Sequence, residues 1–131
     1  MAEDSVFTKI IKGEIPCHKI YEDDKTFVFL DRSPIQPGHT LVISKKQIDP
    51  LWDLSDEDYQ AVMAVAKKVA NRLLQVLKVP RVGIQVIGID VHHAHVHVIP
   101  FSSVEEFRAI PDADAEPDHP ALAEMAKRLA F

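Results

Sequence analysis

Apolar and polar positions change period several times along the 131 residues, and each change marks an element. Between Ser5 and Glu14 the apolar Val6, Phe7, Ile10 and Ile11 recur at helical spacing, so a short helix is predicted there, closed by Gly13 to Pro16. His18 to Glu22, Phe27 to Asp31 and Thr40 to Ser44 read as strands. They are separated by the polar Asp23-Asp24-Lys25 and by a loop holding Pro34, Pro37 and Gly38, which predicts an antiparallel meander. Ser55 caps the next segment, with Asp56, Glu57 and Asp58 in its first turn. Val62, Val65, Ala66, Val69, Leu73, Val76 and Leu77 then repeat at helical spacing until Pro80, giving the main amphipathic helix. Arg81 to Ile87 and Val91 to Ile99 are two further strands, expected as a hairpin across Gly88-Ile89-Asp90. An acidic stretch from Pro111 to Pro117 leads to a C-terminal helix, with Pro120 near its first turn and Leu122, Met125, Ala126 and Leu129 along one side. This order predicts an α+β domain with helices packed on an antiparallel sheet of about five strands.

Composition narrows the class. At 47% hydrophobic and 27% charged residues, residues 1–131 are expected to form one globular domain. The formal net charge of -5, with no basic run longer than Lys45-Lys46 or Lys67-Lys68, argues against a nucleic-acid partner. The single cysteine, Cys17, allows no intramolecular disulfide and no cysteine-based zinc site, and a cytoplasmic location is expected. The acidic start, Met1-Ala2-Glu3-Asp4, is followed by no long apolar run, so neither a secretory signal nor a membrane span is expected.

Chemistry concentrates at Val91 to Pro100, where four of the seven histidines fall within six residues. Alternation along a strand puts His93, His95 and His97 on one face and Ala94, Val96 and Val98 on the other, with rings roughly 7 Å apart at the backbone. Three readings of that face stay open. The rings could be structural, each satisfied by a local hydrogen bond. They could ligate a metal with an open position for water, although the nearest carboxylates, Asp90 and the distant Glu105 and Glu106, supply no obvious supporting shell. Or a neutral imidazole attacks phosphorus, with His95 as the middle ring in the attacking position and His93 and His97 orienting it and stabilising charge on phosphate oxygens. By parity His92 faces away, and His18 and His119 are expected at the surface.

His93-Ala94-His95-Val96-His97-Val98-Ile99 resembles the motif of the histidine triad (HIT) family. The resemblance continues through residues 7–16, through Phe29-Leu30-Asp31-Arg32-Ser33-Pro34, and through Pro37-Gly38-His39-Thr40-Leu41-Val42-Ile43. Roughly residues 5–101 follow the family's order, most nearly that of its nucleoside phosphoramidase-like branch, and residues 102–131 form a C-terminal extension. The resemblance implies a homodimeric HIT-like fold that binds a purine nucleotide and acts at its α-phosphate through a nucleotidyl-histidine intermediate, with no cofactor. By position it implies His95 as nucleophile, His93 as the residue orienting it, and His97 and His39 at the phosphate. It further implies Asp31 at the ribose hydroxyls and Val6, Phe7, Ile10, Phe29, Leu30 and Arg32 around the base. Two departures stand out. Ser5, Thr8 and Gln47 occupy what look like the positions of a Cys-x-x-Cys and histidine zinc site, so no zinc is expected there. Gly88-Ile89-Asp90 replaces the polar pair that usually precedes the triad, which makes Asp90 a candidate leaving-group residue and keeps a binding protein with little or no catalysis as the alternative.

Overall fold

The structure, a computed structural model, describes residues 3–131; Met1 and Ala2 of the acidic start lie outside the described residues. The chain runs through α1 (Val6–Ile11), β1 (Lys19–Glu22), β2 (Thr26–Leu30) and β3 (Thr40–Ser44). A single 3-10 turn, Leu51–Asp53, precedes α2 (Asp56–Leu77), β4 (Arg81–Gln85), β5 (His95–Phe101), α3 (Val104–Phe107) and α4 (His119–Leu129). The five strands form one antiparallel sheet in the order β1-β2-β3-β5-β4. The α+β expectation is met.

The pleat divides the sheet into two apolar layers. Val28 and Leu30 of β2, Val42 of β3, and Val96 and Val98 of β5 pack with Val62, Val65, Ala66, Val69 and Leu73 of α2. The alternate residues Phe27, Phe29, Leu41 and Ile43 pack on the opposite face with Phe7 of α1. The first layer is the main core. The second is the floor on which the histidines stand, because His95 and His97 share the pleat parity of Ile43 and Leu41, their register partners. Ser55 accepts from the Asp58 amide and caps α2 as the sequence predicts.

Two segments depart from the sequence reading. First, β4 ends at Gln85 and β5 begins at His95, so no tight hairpin spans Gly88-Ile89-Asp90. Before His95 the backbone bonds elsewhere: the His93 amide donates to Val91 O at 3.0 Å and the Ala94 amide to Ile48 O at 2.7 Å. Second, α3 was not predicted, although Ser103 caps it by accepting from the Glu106 amide while Glu106 accepts from the Ser102 amide at 2.7 Å. The C-terminal helix forms as its spacing predicts, and it braces the back of the sheet. Leu122, Ala126 and Leu129 join the main core, and Arg72 donates to the carbonyls of Arg128, Leu129 and Ala130 at 3.1, 3.2 and 3.3 Å. Phe131 stacks on Tyr21 with centroids 4.7 Å apart.

Candidate active site

The bond directions around each ring fix where its proton sits, since a carbonyl oxygen only accepts and a backbone amide only donates. His95 Nδ1 lies 2.6 Å from the carbonyl oxygen of His93, so Nδ1 carries the proton and the neutral ring keeps its lone pair on Nε2. His39 Nδ1 accepts from the Ile35 amide at 3.0 Å, which puts the His39 proton on Nε2. That Nε2 lies 2.9 Å from His97 Nδ1 and 3.6 Å from Asp31 Oδ2. Only the shorter distance is a hydrogen bond, so His39 donates to His97, and His97 carries its own proton on Nε2. The face thus presents a bare imidazole nitrogen on His95 and an N–H on its neighbour His97, with ring centroids 5.1 Å apart.

Burial keeps the His39 and His97 rings uncharged: it holds both down at about 4, with His39 and His95 adding to the effect at His97. Burial likewise lowers His93 and pushes the Asp31 carboxyl above the usual carboxylate range. Asp31 and His39 end up side by side because they close the β2–β3 connection. The Asp31 amide donates to His39 O at 3.0 Å, and Asp31 Oδ1 accepts from the Ser33 amide. Gly38 turns this connection at φ +96°, a conformation that suits glycine and sets the adjacent His39 inward.

The other sequence-predicted residues sort by face. Phe7 meets the His95 ring edge-on at 5.0 Å and the His93 ring at 5.8 Å; Phe29 and Ile10 belong to the same apolar layer. Val6 and Arg32 are exposed. Leu30 corrects the sequence reading: one position further along β2 than Phe29, its side chain packs into the main core on the face away from the histidines. Asp90 is exposed in the Val86 to Ala94 link, near enough for its charge to raise His97 slightly against the larger effect of burial. His92 lies outside the network, 3.3 Å from Asp49, and His18 pairs with His119 at 3.1 Å on the surface.

Several contributors were not read from the sequence. Gln85 stands opposite His97 in the β4–β5 register, with its Oε1 buried and unpaired among the described residues. Around His93, Nε2 donates to Ser44 O at 2.6 Å, and Nδ1 lies 2.7 Å from Ser5 Oγ and 3.4 Å from Thr8 Oγ1. Spacing along the chain does not place these partners at His93, from which they lie 49 to 88 residues away, although the resemblance groups Ser5 and Thr8 with Gln47.

Two clusters invite a metal, and neither donor set fits one. Among the described residues, ligand atoms of Asp31, His39 and His97 gather within 4.8 Å. Ligation through His39 Nε2 would require its proton on Nδ1, where the Ile35 amide already donates. At His93 the neighbours are two hydroxyls and the Gln47 amide, where zinc sites use thiolate, imidazole or carboxylate.

A strand-borne histidine face on a five-stranded antiparallel sheet, backed by one long helix, defines an α+β fold class to which the comparisons also lead. The HIT domain model matches residues 12–104, and the chain belongs to the HIT family. It is 34% identical over 142 residues to Protein hit of Bacillus subtilis, covering 98% of this chain and 97% of that one. It is 32% identical to Adenosine 5'-monophosphoramidase HNT1 of Saccharomyces cerevisiae, covering 95% of this chain and 79% of the relative. The crystal structure of a Hit-like protein from Bartonella henselae superposes with a TM-score of 0.85 at 29% identity, covering 98% of this chain and 97% of that one.

The buried rings predict a pH dependence of stability. His39 and His97 sit at about 4 when folded and near 6.5 when unfolded, so below about pH 6.5 the unfolded chain binds protons that the folded chain refuses. Their contribution is complete above about pH 6.5, falls with pH, and levels off near pH 4, on the order of 3 kcal/mol for His39 alone. Urea unfolding across about pH 4 to 7 is expected to show that slope, and His39→Gln to flatten it; an unchanged slope in the variant would show that His39 is not held neutral by the fold.

Proposed function

We propose that this HIT-family chain is a hydrolase of purine nucleotides, phosphoramidase-like, which acts at the α-phosphate through a nucleotidyl intermediate on His95. The observation that carries the reading is the bond from His95 Nδ1 to the His93 carbonyl, which leaves Nε2 as an available nucleophile. The names of relatives add to it: besides the yeast monophosphoramidase, the chain is 31% identical over 105 residues to a protein named Adenylylsulfatase HINT3 of Arabidopsis thaliana.

In this reading Nε2 of His95 forms a bond to the α-phosphorus as the bond from phosphorus to the leaving amine breaks. The bonding electron pair goes with the amine, which takes a proton from solvent. Water then displaces His95 and releases the nucleoside monophosphate. While nucleotide is attached, the ring is cationic, and the Nδ1–H bond to the His93 carbonyl stabilises that charge. His97 Nε2–H donates to a phosphate oxygen, with His39 holding its Nδ1. Asp31 keeps Oδ2 free for the ribose hydroxyls, and Phe7, Ile10, Phe29, Val6 and Arg32 surround the base. Asp90 stands on the leaving-group side, where its charge favours an amine over a phosphate leaving group. Cys17 is a free thiol, which suits the reducing cytoplasm, where we place the protein. Among the described residues no helix is long and apolar enough to cross a membrane.

The reading includes a homodimer. β4 closes one edge of the sheet, and Ile84 on it and Ile87 and Ile89 beyond it are exposed at 48%, 56% and 75%. An open, apolar edge strand is a liability that pairing with the same strand of a second copy removes, with two-fold symmetry.

Adenylate release from an adenosine phosphoramidate, with chelator present, tests the chemistry. Wild type is expected to turn over, and His95→Ala to lose about a thousandfold or more. Wild type that binds adenylate without turnover would make the chain a nucleotide-binding protein, and activity that returns only with zinc would make it a metal enzyme. In the same assay Asp90→Ser is expected to lose rate on amine leaving groups and gain on phosphate ones; equal or better rates on both contradict the role given to Asp90. Sedimentation at micromolar concentration is expected to give a dimer that Ile84→Lys converts to monomer, whereas a wild-type monomer would overturn the assembly.

A further inference from the structure

Residue 93 lies just outside the sheet, with no ladder partner on either side, since the β5 register begins at Ile43 with His95 and at Gln85 with His97. Something other than the ladder must therefore aim the His93 carbonyl at the His95 ring. The His93 side chain is fully buried and bonded at both nitrogens: Nε2–H donates to Ser44 O at 2.6 Å, so Nδ1 must accept. Two hydroxyls lie near Nδ1, and the surrounding bonds decide which one donates. Thr8 Oγ1 gives its proton to Gln47 Oε1 at 2.7 Å, and Ser5 Oγ already accepts from the Thr8 amide at 3.0 Å. Ser5 Oγ–H has two acceptors in reach, Thr8 Oγ1 at 3.3 Å and His93 Nδ1 at 2.7 Å, and the much shorter contact, which also satisfies the buried ring nitrogen, takes the proton. Gln47 is itself fixed: its Oε1 also accepts from the Ser5 amide at 2.6 Å, and its Nε2 donates to Glu3 O at 2.8 Å. Every proton in the knot is assigned, and the assignment holds only while His93 is neutral.

We propose that Ser5, Thr8 and Gln47 are positioning residues for the transfer reaction: they lock His93 in one protonation state and orientation, and through the His93 carbonyl they hold the His95 ring with Nε2 bare. The proposal rests on the nucleotidyl-transfer reading above. In it the N-terminal cap of α1 does two jobs, since Ser5 both caps the helix and donates to His93. Phe7, two residues further on, meets the His95 ring edge-on from the same helix, so α1 sets the nucleophile from two sides. None of the three positioning residues touches the reacting atoms, and their effect falls on the rate of transfer rather than on nucleotide binding.

The test compares Ser5→Thr, Ser5→Ala and Ser5→Asp, all of which keep His95. Threonine retains the donating hydroxyl; aspartate caps a helix as well as serine but can only accept. Ser5→Thr is expected to hold the wild-type kcat, and Ser5→Ala and Ser5→Asp to lose about ten- to a hundredfold in kcat with KM little changed. A carboxylate beside Nδ1 also favours the imidazolium form of His93, so kcat of Ser5→Asp is expected to acquire a titration near neutral pH that wild type lacks. Wild-type kcat in Ser5→Asp, or equal losses in Ser5→Thr and Ser5→Ala, would overturn the proposal. Nitrogen-15 spectra of the histidine rings give a readout separate from turnover. They are expected to show His93 bare at Nδ1 in wild type and protonated there in Ser5→Asp, and a ring state indifferent to the substitution would overturn the proposal even if no substrate is turned over. Absence of turnover in wild type would count against the transfer reading alone.

Discussion

A 2.6 Å hydrogen bond between two residues of the same short segment sets the proton arrangement of the candidate site: His95 Nδ1 to the carbonyl of His93. It decides which nitrogen of His95 is free, and it remains in place to stabilise the ring if that nitrogen takes up a phosphoryl group. The bond exists because β5 starts late. A residue within the β5 ladder commits its backbone carbonyl to a strand partner or to one side of the sheet, whereas at residue 93 the carbonyl is free to turn toward the ring two positions on. The irregular link before β5 is therefore part of the site.

Burial supplies the second constraint. An imidazole can act as nucleophile or as a neutral donor only while uncharged, and in water near neutral pH a histidine is within reach of protonation. Here the fold buries His93, His39 and most of His97, and desolvation lowers all three. With the rings neutral, His93 donates to the Ser44 carbonyl and accepts from the Ser5 hydroxyl, His39 accepts from the Ile35 amide and donates to His97, and His97 Nε2–H is left for a ligand. Desolvation and directional bonding act together: the first removes the charge, and the second places the single remaining proton.

Much of this was legible in the sequence, for reasons that also mark its limits. Thr40–Ser44 forms β3 as its apolar run after the Pro34 to Gly38 loop predicts, Ser55 caps α2, and the pleat parity of Val96 and Val98 against His95 and His97 follows from spacing alone. Periodicity reports which face a residue occupies once a strand exists, but not where the ladder begins, so the predicted start at Val91 ran past the true start at His95. α3 did carry a signal, Ser103 with Glu106 three positions on, and was missed because the segment is too short for a hydrophobic period. The knot at His93 had only a partial one: the resemblance grouped Ser5, Thr8 and Gln47, but nothing in the sequence joined them to His93. The knot joins Ser5, Ser44 and His93 across the fold, and its residues, read singly, are an ordinary cap, a strand end and a triad member. Leu30 shows the converse: position in a motif suggested the base site, and strand parity sent its side chain to the core.

The central claim, that the fold leaves His95 Nε2 as the single nucleophilic nitrogen of the face, is tested most directly by trapping the reaction. Wild-type protein would be mixed with an adenosine phosphoramidate, quenched within the first turnover and digested, and the peptides mapped by mass spectrometry. The account predicts one adenylate, attached to His95. Adenylate on His93, His97 or Ser5, or full turnover with no nucleotide ever bound covalently to the protein, would contradict it.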